Sequence, residues 1–80
     1  MKIPRDVNSD QLIKLLKAHG YYVSRQTGSH IRLTTDQNGQ HHITIPNHHP
    51  LKIGTLSVIL GEVASHFNIA KSDFIQSVFG

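Results

Sequence analysis

Two glycine turns, Thr27-Gly28-Ser29 and Asn38-Gly39, cut the middle of this chain into three short runs that must fold back on one another. Asn-Gly is a strong local hairpin signal, and glycine supplies the positive φ that tight turns need. The runs are rich in strand formers: Tyr21–Gln26, His30–Thr35 and His41–Ile45, the last closed by Pro46, which cannot donate to a ladder. Ile31, Leu33, Ile43 and Ile45 alternate with His30, Arg32, Thr34, His42 and Thr44. A period of two places those sets on opposite faces. The first set predicts a core face, and the second a wet face bearing histidines.

Helical stripes flank this sheet. Leu12, Leu15, Leu16 and His19 recur at helical spacing behind Asn8 or Ser9 as a cap, with Gln11 placed for a capping box, and Gly20 stops the run. The first helix is thus expected over 9–19, after an extended lead-in over the first eight residues. Gly54-Thr55 opens a second helix carrying Leu56, Ile59, Leu60, Val63 and Phe67, which Asn68 closes. Gly61 inside that helix costs about 1 kcal/mol against alanine, so close packing of another element is expected there. Ser72 is read as the cap of a short last helix, with Phe74, Ile75, Val78 and Phe79 as anchors. Both main helices need an apolar face, and the sheet offers one. The expected fold is α+β: a two-layer α-β-β-β-α sandwich with a three-stranded antiparallel sheet and a short C-terminal helix, over 1–80 as one domain.

Composition agrees with a small folded unit. Eighty residues with 38% hydrophobic content can bury a modest core, and without cysteine neither disulfides nor thiolate zinc sites can help it. No run approaches the roughly 20 apolar residues of a membrane span, and Met1–Asp6 lacks the apolar stretch of a signal peptide. A soluble, cytoplasmic protein with no membrane partner is expected. The net charge of +3, with seven histidines besides, favours a polyanion, more so as pH falls.

The chemistry concentrates where the first turn meets the second strand. His30 and Arg32 share the wet face one strand repeat apart. Imidazole titrates nearest neutrality and suits proton transfer, and a guanidinium beside it can hold a phosphate. The pair is a candidate phosphodiester site.

The ordered segments Ala18-His19-Gly20-Tyr21, Arg25-Gln26-Thr27-Gly28-Ser29-His30, Pro46-Asn47-His48 and Gly54-Thr55-Leu56-Ser57-Val58-Ile59-Leu60 resemble the HicA (YcfA-like) family of bacterial toxin–antitoxin ribonucleases across roughly 9–67. The resemblance implies a double-stranded-RNA-binding-domain-like fold and an endoribonuclease, or mRNA interferase, that is silenced by a HicB-type antitoxin covering its active site. It also implies that His30 is the catalytic histidine. His48-His49-Pro50 is richer in histidine than the family pattern, and the segment after Phe67 is longer than in many members.

Cleaving RNA without a metal requires a base for the ribose 2′-OH, an acid for the leaving 5′-oxygen and positive charge near the phosphorane. His30 is assigned as base or acid and Arg32 to phosphate, with donors from Ser29 and the Gly28 amide. Arg25 can bind RNA or simply be solvated. His48 is either a second proton-transfer group or, the favoured reading, a residue that orders its loop through a backbone hydrogen bond. Lys52 and Thr55 lie at a helix N-terminus that attracts phosphate, or Gly54-Thr55 only caps it. Neighbouring His41-His42 and His48-His49 cannot both aim at one ion from a strand, and Asp36 is the nearest carboxylate, so neither a metal nor another cofactor is expected. The expected partners are mRNA and the antitoxin, and the free protein can be a monomer. Two other readings are a non-catalytic RNA-binding module and a protein-docking module that uses the aromatic tail Phe74 and Phe79.

Overall fold

The computed structural model describes residues 3–80; Met1 and Lys2, part of the expected lead-in, lie outside the described residues. The elements run α1 (Ser9–Ala18), β1 (Tyr22–Thr27), β2 (His30–Thr35), β3 (His41–Pro46), α2 (Ile53–His66) and α3 (Lys71–Phe79). This is the α+β order expected from the sequence. The sheet is antiparallel in the order β1-β2-β3, so β2 is central and the strand carrying His30 is held on both sides.

Local chemistry sets most boundaries. At the start of α1 the capping box forms, with Asn8 N–H donating to Gln11 Oε1 at 2.8 Å. At its end Gly20 takes φ +95°, and Gly20 and Tyr21 N–H close on the carbonyls of Lys17 and Leu16, the paired bonds of a Schellman motif. Asn68 ends α2 the same way, at φ 58°, with Asn68 and Ile69 N–H reaching Ser65 and Ala64. Three N-terminal expectations shift. Tyr21 precedes β1, its backbone N–H being spent on the Leu16 carbonyl that closes α1. Helix α2 starts at Ile53 behind Lys52, and α3 at Lys71 behind Ala70, neither cap making a side-chain bond. Gly54-Thr55 and Ser72 therefore lie inside their helices rather than capping them.

One core joins the elements. Leu12 and Leu16 of α1, Leu33, Ile43 and Ile45 of the sheet, Leu56, Leu60 and Val63 of α2, and Phe74 and Ile75 of α3 are all buried in it. The helices thus occupy the apolar face of the sheet, as the stripes require. Phe74 is buried and Phe79 packs partly against the core, so the aromatic tail is spent on this fold and does not form the exposed docking element considered above. The helices do not cover the whole sheet, and every residue of β1 is exposed. Among the described residues no single helix is long and apolar enough to cross a membrane.

Gly61 also departs from expectation. The nearest atoms a Cβ there would meet are those of the Lys71 side chain, at 3.6 Å, which is ordinary contact. Packing does not demand the glycine.

Candidate nucleic-acid interface

Gly28 and Ser29 form the two-residue connection between the paired residues Thr27 and His30, and Gly28 alone of the two has positive φ, +55°. Glycine at the first central position is what a type II′ hairpin turn requires. The turn delivers His30 as the first residue of β2, exposed, between Thr27 on β1 and Pro46 on β3. Arg32 follows on the same face, between Arg25 and Thr44.

Arg25 reaches that face through an irregularity. The β1–β2 register slips between Val23 and Arg25, leaving Ser24 as the extra residue of a bulge. Simple alternation from Val23, which pairs with the core residue Leu33, would turn Arg25 toward the helices. The bulge instead sets it directly opposite Arg32. Like charges facing one another across a sheet are destabilising, so this pair is a cost to the fold.

A polar relay braces the bulge. Ser24 Oγ donates to the Arg32 carbonyl at 3.3 Å and Thr34 Oγ1 donates to Ser24 Oγ at 2.7 Å. The one Thr34 hydroxyl proton is then used, so His42 must donate Nδ1–H to Thr34 Oγ1, 2.8 Å away. These neighbours explain why Thr34, expected to be wet, is only 2% exposed. His42 and Thr44 remain exposed as expected.

The far side of the turn is clamped to the end of β3. Asn47 N–H donates to the Ser29 carbonyl at 2.7 Å, and the buried Ser9 hydroxyl donates to Asn47 Oδ1 at 2.9 Å. Ser9 N–H donates to the His48 carbonyl at 3.1 Å. The backbone of His48 thus orders its loop, and its imidazole stays exposed beside the turn. The sequence marks neither residue for this role: Ser9 reads as a possible helix cap and Asn47 as part of Pro46-Asn47-His48.

Lys52 and Thr55 are brought elsewhere. Lys52 is the exposed residue preceding α2, and Thr55 lines a groove between α2 and β3 together with His42, Thr44, Val58 and Glu62. They do not join Arg25, Arg32 and His30 on the open face. Among the described residues no three histidine or acidic side chains converge as metal ligands.

A second histidine cluster closes the other end of the sheet. His41 and His66 stack with centroids 4.5 Å apart and planes 13° from parallel. The Tyr21 hydroxyl and His41 Nδ1 share a hydrogen bond at 2.7 Å, and His66 Nε2–H donates to the Gln37 carbonyl at 2.8 Å. Burial, and then the Glu62 charge, push the Tyr21 phenol up to about 12, which keeps it protonated. Burial, followed by the charges of His66 and His42, holds His41 below the ordinary histidine value, against the pull of Glu62. This cluster ties the β2–β3 loop to the end of α2.

Comparison with curated proteins, and with solved structures, finds no significant match. Residues 9–63, which carry α1, the whole sheet and most of α2, match the family described as the HicA toxin of bacterial toxin–antitoxin, and the chain belongs to the HicA toxin family.

Proposed function

We propose that this HicA-family toxin is a cytoplasmic endoribonuclease that cuts mRNA by histidine acid–base chemistry and needs no metal. The reading rests chiefly on one observation: an exposed His30 shares the open face of the sheet with Arg25 and Arg32, which stand opposite one another. The two guanidiniums hold the phosphate and offset charge on the phosphorane. His30 removes the ribose 2′-OH proton, or protonates the departing oxygen. The 2′-oxygen attacks phosphorus, the bond to the 5′-oxygen breaks, and a 2′,3′-cyclic phosphate and a 5′-hydroxyl result. The Gly28 amide and the Ser29 hydroxyl, at the exposed turn preceding His30, are placed to donate to phosphate oxygens. His48 contributes a further donor from its exposed imidazole.

Membership of a toxin–antitoxin family supports a HicB-type antitoxin as the partner that covers this face. The test is cleavage of single-stranded and structured RNA in the presence of EDTA. His30→Ala should lower the rate by about 10²–10⁴-fold with an unchanged circular dichroism spectrum. Undiminished cutting by that variant defeats the assignment of His30. Retention of RNA without cutting by the unaltered protein would instead mark a non-catalytic RNA-binding module.

A further inference from the structure

We propose that the open face of the sheet is a platform for single-stranded RNA, on which Tyr22 stacks an unpaired nucleobase while Arg25 and Arg32 hold the backbone beside His30. The inference rests on the ribonuclease reading and adds to it the form of the substrate.

Tyr22 is 47% exposed although it lies within a strand. It pairs with Thr34, and so shares the face that carries Arg32 and His30. Arg25 and His30 on this face are exposed as well. The Tyr22 hydroxyl donates to Asp36 Oδ2 at 3.3 Å, and Gln40 Nε2 donates to the other Asp36 oxygen at 3.4 Å. The aromatic ring is therefore tethered by its tip at the end of the sheet away from the turn.

The face has a polarity. Cations gather toward the turn, and an aromatic ring and a carboxylate mark the opposite end. A phosphate is drawn to Arg25 and Arg32 and repelled from Asp36. A nucleobase stacks on an aromatic ring whatever its sequence, and its amino group can donate to a carboxylate. Only a strand with unpaired bases satisfies both ends at once. A duplex keeps its bases stacked inside and would present phosphates to Asp36 as well. From Thr34 to His30 the strand spans about 13 Å, the rise of about four stacked nucleotides or fewer extended ones, so one short single-stranded segment reaches both ends.

The experiment measures binding in the His30→Ala background, where cutting does not interfere. The probes are a labelled unpaired oligoribonucleotide of about 12 nucleotides, the same strand annealed to its complement, and a series carrying one abasic nucleotide at successive positions. The unpaired strand should bind more tightly than the duplex. Tyr22→Ala should weaken its binding roughly 5- to 150-fold, and Tyr22→Trp should keep it. In protein retaining Tyr22, one abasic position should reproduce the loss, and in Tyr22→Ala it should add nothing. The abasic series tests the platform even where a substitution perturbs folding. Equal binding by Tyr22→Ala, or a preference for the duplex, overturns the platform alone if protein with His30 still cuts RNA. If that protein neither binds nor cuts any RNA, the ribonuclease reading falls first and the platform falls with it.

Discussion

The backbone N–H of Asn47 donates to the carbonyl of Ser29 at 2.7 Å, so the end of β3 grips the turn that presents His30. The Asn47 side chain is itself held by the Ser9 hydroxyl at 2.9 Å, and Ser9 is wholly buried. The first turn of α1, the Pro46-Asn47-His48 loop and the glycine turn are thereby fixed as one piece. Ser9→Ala removes the donor and frees Asn47. A lost hydrogen bond of this kind costs about 0.5–1.5 kcal/mol, read as a lower urea midpoint at unchanged slope. RNA cutting, measured where the variant is still folded, should fall by more than the folded fraction does. Wild-type activity in the folded variant would show that the clamp does not position His30.

Arg25 faces Arg32 across the sheet, with no carboxylate opposite either of them in the register. Their repulsion is a cost that the fold alone does not require. Arg25→Thr should stabilise the protein by a few tenths of a kcal/mol and raise its melting temperature. The same change should weaken RNA binding and reduce the slope of log K against log salt by about one. A variant that is less stable, or that binds RNA with the wild-type salt slope, would remove the pair from the phosphate site.

The sequence and the structure agree where a single local rule governs. Alternation put His30 and Arg32 on one face and Leu33, Ile43 and Ile45 on the other, and a sheet with one buried face leaves no other register. Gly20 and Asn68 announced two helix ends because a left-handed residue is needed there. Disagreement begins where the outcome depends on a neighbouring strand. Ser24 carries no mark of a bulge, yet the bulge decides which face receives Arg25. Thr34 reads as an exposed threonine, and only the company of Ser24 and His42 buries it. Helices α2 and α3 begin without side-chain caps, so the nearby Gly54-Thr55 and Ser72 drew the expected starts inward. The clamp through Ser9 and Asn47 joins residues far apart in the chain, and no spacing rule connects them.

His41 ties stability to pH. Its folded-state value is depressed, first by burial and then by the charges of His66 and His42, with Glu62 opposing. Its Nδ1 is also occupied by the Tyr21 hydroxyl. Below the ordinary value of 6.5 the unfolded chain takes up a proton that the folded chain resists. The stabilising contribution is therefore full above that value and is lost as pH falls toward the lower folded value. Urea midpoints measured between about pH 8 and pH 5 should decline on the acid side, and His41→Gln should flatten that decline. An identical pH dependence in the variant would place the acid sensitivity in other groups.

Gly61 offers a test in the stabilising direction. It lies in the interior of α2, where glycine is the costliest ordinary residue because it surrenders the most backbone freedom on folding. A methyl group there would approach Lys71 Cδ, Cε and Nζ at 3.6 Å, an unstrained contact with a flexible side chain. Lys71 Nζ also donates to Ser57 Oγ at 2.7 Å, an interaction the new methyl would adjoin. Gly61→Ala should therefore gain about 0.5–1 kcal/mol, and a domain of this size gains about 4–8 °C in melting temperature per kcal/mol. If Gly61→Ala instead loses stability, the displaced Lys71–Ser57 bond is the first suspect. Gly61→Ala compared with wild type in a Lys71→Ala background separates the two effects, because the methyl then has no lysine to meet. A loss that persists there would mean that α2 needs glycine at this turn for a reason other than its contact with α3.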